Sequence, residues 1–401
     1  MNQSIRDTIA QVTPAIQDLR HDLHRIPEAR YAEHDTSARI ARFLDAARIP
    51  HQAGYAGGTG IVAELVGGRP GPSVLLRADM DALEMQEETG VPYASERPGF
   101  MHACGHDGHM ACLCGVVEVL ARHREILHGT VRFVFQPAEE QGAGGERMVA
   151  EGVCDGVLAA FALHGWPGLP VGTVGIRPGC VMASADFFRV VITGVAGHGA
   201  DPGACIDPVF VAAHVTTALQ GIVSRELDPW APGVVTVARI AAGTTSNIIP
   251  GEAVMEGTFR ALTPEDRVHI RAAIERITSH VAQALRASAE VTFGEVGYPP
   301  LINDPALAAF AHETLAGEFG PAHVVAPEHA YMTAEDFAFY TQVVPGTFLL
   351  LGVDGPDEAR HEALHTPGYD FNDDAISTGI TALAALALAT IERGKEDATH
   401  G

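Results

Sequence analysis

Apolar positions follow two rhythms along the chain. At the start, Ile9, Val12, Ile16, Leu19, Leu23 and Ile26 recur at helical spacing until Pro27 closes the run. A second helical stretch, "TSARIARFLDAAR", opens at Thr36, a residue type suited to capping a helix. Short runs rich in β-branched residues then alternate with helical stretches: "GIVAELV", "SVLLRAD", a helix near 107–127, "TVRFVFQ", a helix around 142–151, and "LAAFALH". This alternation predicts an α/β fold with a mostly parallel sheet and covering helices.

From about Ala185 the rhythm changes. "DFFRVVITG" reads as a strand, "DPVFVAAHVTTALQGIVSRE" as a helix, and "GVVTVARIAAG" and "EAVMEGTFRA" as strands. A long helix from "TPEDRVHIRAAIERITSHVAQALRAS" and a strand from "AEVTFGEV" complete a β-α-β-β-α-β unit of ferredoxin-like type. The predicted organisation is an α/β domain in two parts, 1–184 and 299–401, interrupted by an inserted ferredoxin-like domain over 185–298. In the second part "GTFLLLG" reads as a buried strand and "DDAISTGITALAALALATIER" as a closing helix. Its apolar core, "ITALAALALATIE", is too short to span a bilayer, so no membrane segment is expected.

Composition narrows the picture. The chain has 401 residues, 47% hydrophobic and 19% charged, enough for two or three domains of about 150 residues each. A net charge of −24 argues against nucleic acid or an anionic membrane as a partner, because both require basic surface. The first residues contain no apolar run resembling a signal peptide. Six cysteines, three of them clustered, do not form the pattern of a disulfide scaffold, and a cytoplasmic protein is expected.

The candidate chemistry lies where predicted strands end. "SVLLRAD" runs into Asp79-Met80-Asp81, "TVRFVFQ" into Glu139-Glu140, and "LAAFAL" into His164, while His361 and His365 follow "GTFLLLG" after a loop. The carboxyl ends of strands are where open α/β sheets bind ligands. Between these lies "MHACGHDGHMACLCG", which alone is compatible with a metal site, a reactive thiol or a His- and Cys-rich helix start. With the carboxylates and histidines at neighbouring strand ends, Cys104 and His106 read as ligands of a transition metal such as zinc, manganese, nickel or cobalt. Cys112 and Cys114 read as buried small residues, and His21, His24, His102 and His109 as structural or supporting. Two adjacent glutamates do not easily share one metal. One would ligate, and the other would take a proton from metal-bound water, whose pKa falls from 15.7 towards about 7.

The segments "LRHDLHRIPE", "LLRADMDAL", "HACGHDGHMA", "FVFQPAEE", "LHG", "GTTSNIIP", "GTFRA", "MTAEDFAFY" and "LHTPGYDFND" together resemble the dimetal amidohydrolases of the aminoacylase and carboxypeptidase-G metallopeptidase family. The branch they resemble contains hippurate hydrolases, N-acyl-amino-acid amidohydrolases and auxin-conjugate hydrolases. The resemblance implies two divalent metal ions held by Cys104, His106, Glu140, His164 and His365. It implies Glu139 as general base and Asp81 as a residue orienting the ligands. Asp79 stands where other branches carry a ligating histidine, and it is left off the ligand set. The inserted domain matches a lid and dimerisation domain. Its His198 would reach the substrate carbonyl or oxyanion, and Asn247 and Arg260 the substrate's amide and carboxylate. Gly203 replaces a histidine common in relatives, and Glu84 stands in place of a proline, which bears on substrate preference.

The resulting expectation is hydrolysis of N-acyl amino acids by a homodimer or homotetramer. A dipeptidase or carboxypeptidase of the same dimetal chemistry is the alternative. A cysteine hydrolase with Cys104 as nucleophile would leave Glu139 and Glu140 unexplained. A non-catalytic binding protein would leave unexplained a complete set of ligands and a base.

Overall fold

Asn2 starts the first helix, α1 (Gln3–His24), its side chain accepting the Ile5 N–H at 3.0 Å. The apolar stripe Ile5, Ile9, Val12, Ile16, Leu19 and Leu23 is buried along the length of α1. The next helix, α2 (His34–Ala46), begins before Thr36, with Glu33 at its N-cap. Thr36 is therefore inside the first turn and not the cap: its N–H and hydroxyl both donate to the Glu28 carboxylate, at 2.8 and 2.9 Å. Helix α3 (His106–Arg122) is buried on nearly every face and ends short of the 127 expected from sequence. Gly105, at φ +82°, turns the chain into it; a Cβ there would lie 2.9 Å from the Tyr369 hydroxyl.

The computed structural model describes residues 1–355 and 362–400, with side chains through Lys395. His361 lies outside the described residues. The chain divides into two compact units. Met1–Gly179, Ile302–His329 and Asp336–Gly401 make the first; Cys180–Leu301 and Ala330–Glu335 make the second.

The first unit is built on an eight-stranded sheet. Its strands are β1 (His51–Tyr55), β2 (Gly60–Val66), β3 (Arg69–Asp79), β4 (His128–Gln136), β5 (Val157–Pro170), β6 (Val174–Gly175), β7 (Val324–Val325) and β8 (Gly346–Asp354). Their order is β1-β2-β4-β3-β5-β8-β6-β7. The central run β4-β3-β5-β8 is parallel, whereas β1–β2, β2–β4 and β8–β6 are antiparallel. The parallel core explains the near-continuous apolar runs of β3 and β8, since both faces of such strands are covered.

The helix Ile376–His400 is longer than its apolar segment suggested from sequence. Asp373–Lys395 is long and apolar enough to cross a membrane by length and composition, but 72% of its most apolar window is buried inside the fold. It is a core helix. Gly379 lets it approach α3 closely, a Cβ there lying 2.5 Å from Cys112 Sγ, and a Cβ on Gly115 of α3 would lie 2.3 Å from Ile380.

The second unit has an antiparallel four-stranded sheet in the order Gly233–Ala242, Glu252–Ala261, Asp186–Thr193, Ser288–Phe293. Helices Pro208–Gly221 and Pro264–Ala284, each capped and with proline in the first turn, pack their Val215, Leu219, Ile270 and Ile274 against Phe188, Val190 and Ile192. The chain order is β-α-β-β-α-β.

Candidate metal centre

Register brings the chemistry to one level of the first unit's sheet. Asp79 ends β3 opposite Gln136 at the end of β4, and Arg77 pairs with Ala162 of β5, which sets Asp79 level with His164. The sequence placed His164 at the end of its strand, but it lies inside β5. β5 continues to Pro170 alongside β8, with Leu350 opposite His164. The crevice forms because β3 and β4 stop while β5 and β8 run on.

Cys104 is the meeting point. Its Sγ lies 3.3 Å from His164 Nε2 and 3.2 Å from His365 Nε2. Two groups of donor atoms share it: Cys104, His106 and His164 in one, Cys104, Glu140 and His365 in the other. His365 Nε2 is also 3.0 Å from a Glu140 oxygen. The His365 backbone is left-handed, at φ +62°, and its N–H donates to the Ala103 carbonyl, joining its loop to the Cys104 segment.

The histidine tautomers fit a cation. His106 Nδ1 donates to the Asp81 carbonyl and His164 Nδ1 to the Gly165 carbonyl, each at 2.8 Å. A carbonyl only accepts, so each Nδ1 carries a proton, and the nitrogen left to release its proton and ligate a cation is Nε2 in both rings. The buried His106 Nε2 has no hydrogen bond. One thiol proton cannot satisfy several converging lone pairs, whereas a divalent cation can.

Electrostatics agree. Burial and the carboxylates of Glu140, Glu139 and Asp79 push the Cys104 thiol well above its usual range. Burial opposes protonation of His106, but Asp79, Asp81 and Glu140 outweigh it and raise its pKa to about 10. His164 is driven well below its ordinary value, first by burial and then by the neighbouring His109. An acid-rich pocket that holds its thiol protonated is suited to trading protons for metal.

Asp81 sets the two glutamates. Its carboxylate accepts the Glu139 N–H at 3.0 Å and the Glu140 N–H at 2.9 Å. The turn they form is bracketed by left-handed Ala138 and Gln141, at φ +56° and +60°. That geometry costs a non-glycine residue of order 1 kcal/mol or more and needs support from outside. Asp81→Asn leaves one acceptor for two N–H groups, and it is expected to weaken metal affinity by roughly 10–100-fold. A metal titration matching the native protein would count against this role.

A family model described as peptidase family M20/M25/M40 matches residues 75–389. The chain belongs to this family. The N-acetylcysteine deacetylase of Bacillus subtilis is 38% identical over 94% of this chain and 96% of its own length. Thermostable carboxypeptidase 1 of Saccharolobus solfataricus is 33% identical, over 96% and 98%. The crystal structure of the Bacillus subtilis YXEP protein, described as a dinuclear metal-binding peptidase of the M20 family, matches at TM-score 0.84 and 35% identity, over 96% and 99%. Two donor groups sharing one thiol are thus found in an M20 chain that resembles a dinuclear member.

The remaining sequence-derived residues of this M20 chain fall elsewhere. Asp79 and His109 are near the cluster, but their atoms are engaged. His109 Nδ1 donates to Asp79 at 2.7 Å, and His109 Nε2 accepts the Gly165 N–H at 2.8 Å. Asp79's other oxygen accepts from Arg77 at 2.7 Å. In the second unit, Gly197–His198 pairs with Ile248–Ile249, setting His198 beside the Asn247 loop. The Ala200 N–H donates to His198 Nδ1 at 3.0 Å, so the exposed ring carries its proton on Nε2. Thr245 donates to Asn247 Oδ1 at 2.8 Å and orients that amide. Arg260, on the Glu252–Ala261 strand, donates to the Phe259 carbonyl at 3.0 Å, and burial pulls its pKa down. Gly203 has open space where a side chain would stand, and Glu84 is exposed.

Sequence reasoning missed three residues. Buried Arg77 donates to Gln136, Asp79 and Asp336, at 2.9, 2.7 and 2.7 Å. Asp336 accepts the Gly145 N–H at 2.7 Å, and its own N–H donates to Glu139 Oε1 at 3.3 Å. Glu33 accepts the Ala138 N–H at 2.9 Å, and burial followed by the Asp81 charge raises its pKa to about 7. The available signal was an arginine inside the otherwise apolar run "SVLLRAD", since a buried guanidinium requires anionic partners.

Proposed function

We propose that this M20 enzyme hydrolyses the amide bond of N-acyl amino acids, giving a carboxylic acid and a free amino acid. The observation that carries the reading is Cys104 shared by two donor groups with Glu139 beside them. It is supported by 38% identity to a relative named N-acetylcysteine deacetylase.

In this reading Cys104, His106, Glu140, His164 and His365 hold two divalent ions, zinc, manganese, nickel or cobalt. The ions supply Lewis acidity toward the scissile carbonyl and acidify water. Glu139, steered by the Asp336 N–H, takes a proton from the attacking water and returns it to the departing amine nitrogen. Asp81 keeps Glu139 and Glu140 at fixed orientation. His198 offers its Nε2–H to the oxyanion of the tetrahedral intermediate. Arg260 and Asn247 bind the substrate's carboxylate and amide. The inserted unit, residues 185–298 in the sequence-derived division, acts as lid and dimerisation domain of a cytoplasmic homodimer or homotetramer.

The test is release of free amino acid from N-acetyl, N-benzoyl and longer-chain acyl amino acids, with added manganese or zinc and with chelator. Chelator-sensitive release is expected. Release from dipeptides alone would replace the reading with the activity in the name of the carboxypeptidase relative.

A further inference from the structure

The first unit surrounds its donor cluster with negative charge and keeps its nearby arginines occupied. Arg77 is committed to Gln136, Asp79 and Asp336, and buried Arg20 to Asp107, Asp370 and the Phe371 carbonyl. Neither guanidinium is placed to receive a substrate carboxylate. What the unit does set beside the cluster is an indole.

His164 and Trp166 are two residues apart on β5 and share one face of the strand. The register with β8 is unbroken through both, Leu350 opposite His164 and Gly352 opposite Trp166. The Trp166 ring stands edge-on to the His164 ring, with centroids 5.8 Å apart at 77°. It is only partly buried, and it sits one step further than His164 towards the carboxyl end of the sheet, beyond the last residues of β3 and β4. An indole offers a wide apolar face and stacks with other aromatic rings, but it has nothing to offer a carboxylate except its N–H.

We infer that Trp166 forms a wall of the subsite that receives the substrate's acyl group, and that this subsite favours a planar aromatic acyl group over acetyl. The inference rests on the amide-hydrolysis reading above.

The chain's other tryptophan, Trp230, is 92% exposed, so Trp230→Phe makes Trp166 the sole indole reporter in the full-length protein. Titration of that protein with benzoate is expected to change its emission saturably, whereas acetate at equal concentration leaves it unchanged. In the kinetic arm, Trp166→Ala is expected to lower kcat/KM for an N-benzoyl amino acid roughly tenfold. The N-acetyl substrate should change by less than about twofold, and Trp166→Phe should restore most of the preference. Equal losses on both substrates, or emission blind to benzoate, would overturn the inference. Should the native protein cleave neither substrate, amide hydrolysis falls, and the benzoate titration alone then decides the subsite: a saturable response upholds it and none overturns it.

Discussion

Glu139→Gln is expected to leave the protein folded and able to load metal while lowering kcat by roughly 10²–10⁴-fold. The backbone contacts that shape the turn survive the change. The Glu139 and Glu140 N–H groups still donate to Asp81, and the Ala138 N–H to Glu33, because these bonds are made by backbone. The glutamine carbonyl can still accept the Asp336 N–H that now reaches Glu139 Oε1. What disappears is the capacity to accept a proton from water, since an amide oxygen is far too weak a base. Glu140, beside His365 and Cys104, is untouched, so the metal-to-protein ratio should match that of the native protein. Turnover within about tenfold of native would move the base role away from Glu139.

Arg77→Met should have the largest effect on stability, about 3–5 kcal/mol. Methionine has similar length and fills much of the volume, but Asp336 is then fully buried without its cation, and Asp79 keeps only its neighbours His106 and His109. The deficit should depend on pH. Burial already raises the Asp336 pKa to about 6 despite Arg77, and removing the guanidinium raises it further. A carboxyl whose folded pKa exceeds its unfolded value binds more protons when folded, so its effect on stability worsens as pH rises through that interval. Urea midpoints of native and variant should therefore lie further apart at pH 8 than at pH 5. A variant as stable as native at pH 8 would mean that Asp79 and Asp336 are satisfied without Arg77.

These two residues mark the boundary of what sequence could reveal. Cys104, His106, Glu139, Glu140, His164 and His365 each sit in a short motif beside an apolar run, so local pattern placed them near one another before any coordinates. The parallel core of the sheet followed from short strand-like runs alternating with helical stretches. Asp336, by contrast, joins Arg77 across 259 positions, and nothing local in "MTAEDFAFY" announces that bond. Glu33 stands outside every motif read from sequence, yet it clamps the Ala138 amide of the turn that carries Glu139. Strand β1 was missed because "HQAGY" is exposed over most of its length and carries no alternating signal. The antiparallel flanks went unseen with it. The closing helix was read over 373–393 and runs on to His400, because the polar "GKEDATH" carries no apolar signal to extend it.

The seat of that helix has a consequence for how the chain is made. α3, apolar on nearly every side, is finished by Arg122, but Ile380, which closes over its Gly115, is synthesised only after the whole Cys180–Leu301 segment. On the ribosome the inserted unit, nearly continuous in sequence, can complete its own core first. The first unit must wait, with the face of α3 that Ile376–Ile391 covers left open until that helix arrives. Its folding is post-translational by topology. A chain stopped before Ile376 would therefore emerge as an aggregating species in need of a chaperone, and not as a folded enzyme lacking one helix.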